Sequence, residues 1–115
     1  MDRPAALAEA CLRAERALAA ALGDSTVCRI HRDGRVTGGA KYAEGQLVAL
    51  ADLQRHLRGS APAEFDSLAR SELRQWNEEL ARHRSLPTPS LPWLAYRQGG
   101  CDALAEVVGE ATIDE

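Results

Sequence analysis

The sequence predicts an α+β fold: a mainly helical bundle of three longer helices and one or two short C-terminal helices, with one β-hairpin packed against it. Three observations carry that expectation. Apolar residues recur every three or four positions in three separate stretches. A β-branched stretch around Asp33 and Gly34 interrupts the helical spacing. Glycines and prolines stand between the stretches, where turns are needed. At 115 residues the chain suits one domain, so residues 1–109 are expected to form a single compact unit and residues 110–115 an acidic, frayed tail.

The first helix is expected over residues 4–22, with Leu7, Cys11, Ala14, Leu18 and Leu22 on one face. Asp2 can cap its start, Pro4 fits an early helical position and Gly23 can end it. Glu9 and Arg13 are spaced for an exposed i,i+4 ion pair. From Thr26 the runs TVCRIHR and RVTGG flank Asp33-Gly34, a dipeptide suited to the type I′ turn of a hairpin. That hairpin opposes Arg32 to Arg35, His31 to Val36 and Ile30 to Thr37, and it turns Cys28 and Ile30 toward the core. Gly38 and Gly39 end its second strand or let it bend. Two strands are marginal in water, so its inner face must lie on helices.

Helical spacing returns over residues 41–58 through Leu47, Leu50, Leu53 and Leu57, with Gly45 weakening the first turn and Gly59 placed as a stop. Ser60, Pro62 and Glu64 open a third helix whose stripe is Phe65, Ala69, Leu73, Trp76 and Leu80. Asp66 with Arg70 and Glu78 with Arg82 are spaced as ion pairs on its solvent side. Residues 86–92, LPTPSLP, hold three prolines and predict an extended surface strap. A short helix over 93–98 is then expected to stop at Gly99 and Gly100, and a last one to cover 102–108. No internal repeat is evident.

Of the large aliphatic and Phe side chains, Leu, Ile, Val and Phe number only 23, against 21 Ala. So thin a core leaves some apolar surface for another protein or for a homodimer. Charge is unevenly spread: residues 29–41 carry four basic residues and one acid, residues 102–115 five acids and no base, in a chain of net charge −3. Such asymmetry steers encounter with a partner and does not specify a fold. Thirteen of the fourteen basic residues are Arg, which favours bidentate and stacked contacts with carboxylate or phosphate. Three widely spaced cysteines without a paired framework point to a reducing, cytoplasmic setting. The acids and arginines of the first 22 residues exclude a signal peptide there, and no stretch reads as a membrane span.

Candidate chemistry is sparse. Cys28 and His31 have half-site spacing for zinc, but no second pair accompanies them and residues three apart on a strand face opposite ways, so no metal or cofactor is expected. Cys101, beside two glycines at an expected helix start, could be an activated thiol, with burial as a small apolar residue the simpler role. His56 and His83 are isolated on helices and read as solvated. His31-Arg32-Asp33 echoes a kinase catalytic loop but lacks every accompanying motif. The pattern Pro89-x-x-Pro92 lacks the flanking basic residue of an aromatic-groove ligand.

Two surfaces remain. The basic hairpin presents Arg29, Arg32, Arg35 and Lys41 either as a protected sheet edge, to an acidic protein, or to a nucleic-acid groove, in that order of preference, because three or four charges give little nonspecific affinity at physiological salt. Trp93 and Tyr96, three apart, either dock the strap onto the third helix or form an exposed aromatic anchor. The expected function is a small, non-enzymatic interaction module, an adaptor or inhibitor that binds a larger protein or complex. Its size and charge resemble, as a class only, small inhibitors of bacterial nucleases and defence complexes, and the Ala- and Arg-rich composition suits a GC-rich bacterial or phage genome. A nucleic-acid-binding regulator using the hairpin is the first alternative, and a small thiol enzyme centred on Cys101 the second.

Overall fold

The structure, a computed structural model, describes residues 3–23 and 38–113. Four α-helices make up this part of the chain: α1 (Arg3–Leu22), α2 (Gly38–Leu57), α3 (Phe65–Arg84) and α4 (Leu91–Ile113), with a 3-10 turn over Pro62–Glu64. Among the described residues there is no β-strand, so the architecture is all-α and the α+β expectation is corrected. The body of the expected hairpin, residues 26–37, lies outside the described residues. Its expected end does not: Gly38, Gly39 and Lys41 belong to the first turns of α2. Each glycine there costs about 1 kcal/mol of helix propensity, which Ala40, Lys41, Ala43 and Glu44 behind them offset as good helix formers.

Helix ends follow local chemistry. Gly23 takes φ +55°, a conformation glycine adopts without a Cβ clash, and its N–H reaches the Ala19 carbonyl at 2.9 Å to close α1. The end of α2 uses Ser60 instead of a left-handed Gly59: the Ser60 hydroxyl donates to the His56 carbonyl at 3.2 Å. Arg82, His83 and Arg84 occupy the last turn of α3, where cations favour the negative end of the helix dipole.

The strap is shorter than the prolines suggest. Leu94 N–H bonds to the Ser90 carbonyl at 3.0 Å, which makes Ser90 the N-cap and Pro92 the second residue of α4. A missing N–H costs nothing in the first turn, because no intrahelical acceptor is available for it. Only residues 85–90 connect α3 to α4.

The two expected C-terminal helices are one, and the reason is tertiary. α2 and α4 run in the same direction and meet backbone to backbone. A Cβ on Gly45 would overlap the Tyr96 carbonyl, and one on Gly99 would overlap that of Tyr42. Gly100 likewise makes room for the Trp76 ring of α3, which would collide with any side chain there. The two glycines cost α4 about 2 kcal/mol of helix propensity together. Close approach and burial of an indole of 150–250 Å² outweigh that.

A repeat, unseen in the sequence reading, underlies this contact. Tyr42-x-x-Gly45-x-x-x-Ala49 in α2 recurs as Tyr96-x-x-Gly99-x-x-x-Ala103 in α4, and Ala49 and Ala103 are buried along the same seam. α1 packs antiparallel on one flank of this pair, with Cys11 beside Gln54, and α3 antiparallel on the other, with Trp76 against Gly100. Leu7, Leu53 and Leu104 are the largest fully buried side chains.

None of the three expected i,i+4 ion pairs holds its residues. Arg13 instead reaches Glu106 of α4 at 3.4 Å, Asp66 is held by Arg3 of α1 at 2.7 Å, and Arg82 pairs with Glu79. Two of these link different helices, which sequence spacing cannot foresee. His56, expected to be solvated, pairs with Glu72, the buried charged residue among those described. Among the described residues, no helix is long and apolar enough to cross a membrane.

Candidate functional site

Trp93 sits in the first turn of α4 and Tyr96 one turn on, so both rings project from the same side of the helix. Their centroids are 5.3 Å apart and the rings meet edge to face at 83°. Tyr96 in turn lies 5.4 Å from the Trp76 ring, tilted by 42°. The three rings make a continuous ladder from the buried Trp76 to the surface. Tyr96 is its half-buried middle, where burial raises the phenol pKa. The two roles open to these aromatics are therefore divided between them: Tyr96 docks α4 on α3, and Trp93 remains half exposed.

Cations line the ladder. The Arg97 guanidinium stacks 4.8 Å from the Trp76 centroid and 5.4 Å from that of Tyr96, with Glu79 at 3.9 Å. Lys41 reaches across from α2, its Nζ 5.2 Å from the Trp93 centroid and 3.2 Å from Glu44. Lys41, assigned from sequence to the hairpin, thus joins Trp93 and Tyr96 in one cluster. Arg29, Arg32 and Arg35 lie outside the described residues, and their relation to this cluster is not part of the structure.

Beside the ladder, a polar chain ties three helices together. Arg84 donates to the Gln98 side-chain oxygen at 2.7 Å, the Gln98 amide donates to Asp102 at 2.7 Å, and the Tyr42 hydroxyl donates to the other Asp102 oxygen at 2.5 Å. The Asp102 bond, with burial and the charges of Asp102 and Glu106 adding to it, pushes the Tyr42 pKa up to about 12. A phenol raised in the fold stabilises fully below its ordinary pKa near 10 and loses that contribution as pH climbs toward 12. Urea midpoints between pH 9 and 12 are expected to fall more steeply for the wild type than for Tyr42→Phe. Parallel pH profiles would refute this.

Three of the four exposed large hydrophobic residues among those described stand at this corner: Leu86 (46% exposed), Leu91 (76%) and Trp93 (47%). Leu12 on α1 is the fourth. Proline explains the concentration. Pro87 and Pro89 keep the short connection between α3 and α4 out of regular helix, and Leu86 and Leu91 flank it. Trp93, Tyr96 and Lys41 stand out in the sequence, whereas Leu86, Leu91 and Arg97 do not.

Cys101 is not at a helix start. It lies eleven residues into α4, is buried, and has its thiol pKa raised by that burial first and by Asp102 second. Cys11 is also buried and shifted the same way, burial again the larger cause and Glu15 the smaller. Arg84 and Arg97 pull the Cys101 pKa down without overcoming its burial, and neither thiol has the accessibility of a reactive thiolate. Ellman's reagent is expected to modify both slowly at pH 7.5 and rapidly once urea unfolds the chain. Fast native modification of Cys101 would restore the thiol reading. Among the described residues no three His, Cys, Asp or Glu side chains gather as a metal ion would require. The chain matches no protein-family model, and comparison with curated proteins and with solved structures finds no significant match.

Proposed function

We propose that this protein is a small, non-enzymatic interaction module of the cytosol, an adaptor or inhibitor that docks on a larger protein through the corner between α3 and α4. The observation that carries this reading is the half-exposed Trp93, held edge to face on Tyr96 and under the Lys41 ammonium, with Leu86 and Leu91 exposed close to it in the chain. Trp and Arg are the side chains that dominate binding energy at protein interfaces, and both stand here on a helix rather than on a loose loop. Trp93 is also braced by Tyr96 and Lys41, so little side-chain freedom is lost when a partner covers it.

The test is co-purification from the native cell with the wild type and with Leu91→Ser and Trp93→Ala. A stoichiometric protein partner is expected with the wild type. Trp93→Ala is expected to weaken the complex by about 2 kcal/mol or more. Both side chains are half exposed or more, so circular dichroism of the variants should match the wild type. Recovery of the wild type as monomer alone would remove the reading, and partner retention by both variants would move the contact elsewhere.

A further inference from the structure

The geometry points to a binding site for a small monocarboxylic acid with an apolar body, in the cavity where α1 and α3 begin and α2 ends. The site lies toward the other end of α3 from Trp93, so it goes beyond the docking reading and does not depend on it. The cavity has a volume of about 310 Å³, twice the roughly 150 Å³ that holds one benzene ring, and falls within the size range of small-molecule sites. Leu7 and Phe65, both buried in the core, form its floor. Pro4, Leu57 and Pro62 add apolar walls.

Three polar side chains share the lining, Gln54, Arg58 and Ser60, and what they still have to offer selects the ligand. The Ser60 hydroxyl already donates to the His56 carbonyl at 3.2 Å. The Gln54 side-chain oxygen already accepts from the Cys11 thiol at 3.8 Å, whereas no described residue accepts from its amide nitrogen. Arg58 takes part in none of the ion pairs among the described residues, and its N–H donors stay charged at any working pH. The capacity left at Gln54 and Arg58 is therefore donor capacity. A carboxylate meets it, since its two oxygens match the guanidinium fork in parallel bonds.

The surrounding charge agrees. Charged residues beside the lining in the chain hold one another: Arg3 with Asp66 at 2.7 Å, Arg55 with Asp52, and His56 with Glu72. Glu64, in the turn before α3, is exposed and stands outside the lining. The N-terminal ends of α1 and α3 border the cavity against the C-terminal end of α2, so the balance of helix dipoles favours an anion and adds to Arg58. An organic cation would meet like charge at Arg58 and find no acid in the lining. A neutral hydrocarbon would fill the space and leave the guanidinium and the amide unmet. A second cavity of about 230 Å³, between α1, α2 and α4, selects no ligand charge, because its Arg13 and Glu106 pair with each other at 3.4 Å.

Titration of the full chain with phenylpropionate, phenylpropanol and phenylpropylamine, followed by calorimetry and by backbone amide NMR shifts, tests the inference. The three probes share one apolar body and differ in the polar end. The acid is expected to bind about tenfold more tightly than the alcohol and the amine not to bind, with shifts centred on Leu57, Arg58 and Phe65. Arg58→Gln is expected to bring the acid down to the affinity of the alcohol and to leave the alcohol unchanged. Ala61→Phe is expected to abolish binding of both. Ala61 is exposed and extended, at φ −69° and ψ 147°, so any side chain fits its backbone and a phenyl ring there fills the cavity without refolding the turn. Equal or tighter binding of the alcohol or the amine, or acid binding that Arg58→Gln does not weaken, would overturn the inference. So would binding that Ala61→Phe leaves intact, or no saturable binding of any probe up to about 10 mM. None of these outcomes touches the Trp93 surface, which co-purification reads separately.

Discussion

Trp76→Ala is expected to lower the free energy of unfolding by about 4 kcal/mol, read from urea denaturation, because it removes the largest side chain in the core. The indole does more than fill volume. It seats on the bare backbone at Gly100, forms the buried end of the aromatic ladder and carries the Arg97 guanidinium on its face. Its loss leaves a cavity beside a glycine and removes the stacking surface that holds Arg97. Gly100→Ala is destabilising on its own, since the new methyl overlaps the ring. In the Trp76→Ala background the same methyl enters the vacated space and adds helix propensity of about 1 kcal/mol, so its sign reverses. That sign change in a double-mutant cycle isolates the Gly100–Trp76 contact. Additive effects would show that the two sites do not touch in solution.

Gly45→Ala and Gly99→Ala are each expected to destabilise by about 2 kcal/mol. In each the added methyl meets backbone, which cannot rotate away as a side chain can, so α2 and α4 must separate. Overpacking of this kind costs about 3 kcal/mol at the upper end of its usual range, less about 1 kcal/mol regained in helix propensity. Gly109→Ala is the control: it lies in the same helix with nothing within 4 Å of its Cβ position, and it is expected to stabilise by up to about 1 kcal/mol. If all three substitutions stabilise alike, the helices do not cross at Gly45 and Gly99.

Those glycines also show where local reading succeeds and where it stops. The stripes Leu7–Cys11–Ala14 and Phe65–Ala69–Trp76–Leu80 were legible, because helical periodicity is a property of the chain alone and these positions are buried. So was the stop at Gly23, where the helix end needs a left-handed residue. The same residue type misled at Gly99 and Gly100, which read as a second stop and are the floor of two interhelical contacts. Pro92 misled likewise: it signals a break inside a helix and is neutral in a first turn, and only the position of the Ser90 cap tells which applies.

The candidate site divides on the same line. Trp93, Tyr96 and Lys41 could be singled out as residue types suited to binding. Their assembly could not, because Lys41 comes from the first turns of α2, and the direction of α2 relative to α4 is fixed by the Gly45–Gly99 crossing. The ion pairs behave similarly, since Arg13 and Asp66 chose partners on other helices over the spacings offered by their own.

By itself the sequence determined three amphipathic helices and most of their buried faces. Tertiary structure alone decided that α4 is continuous, that α2 and α4 form the central pair, and that Lys41 and Arg97 meet the three stacked rings of Trp76, Tyr96 and Trp93. The physical reason is range. Helix formation rests on bonds between residues four apart, each recorded in the local pattern, whereas the choice of neighbour rests on which surfaces can approach closely. A glycine costs its own helix about 1 kcal/mol, and what it returns depends on a backbone half the chain away.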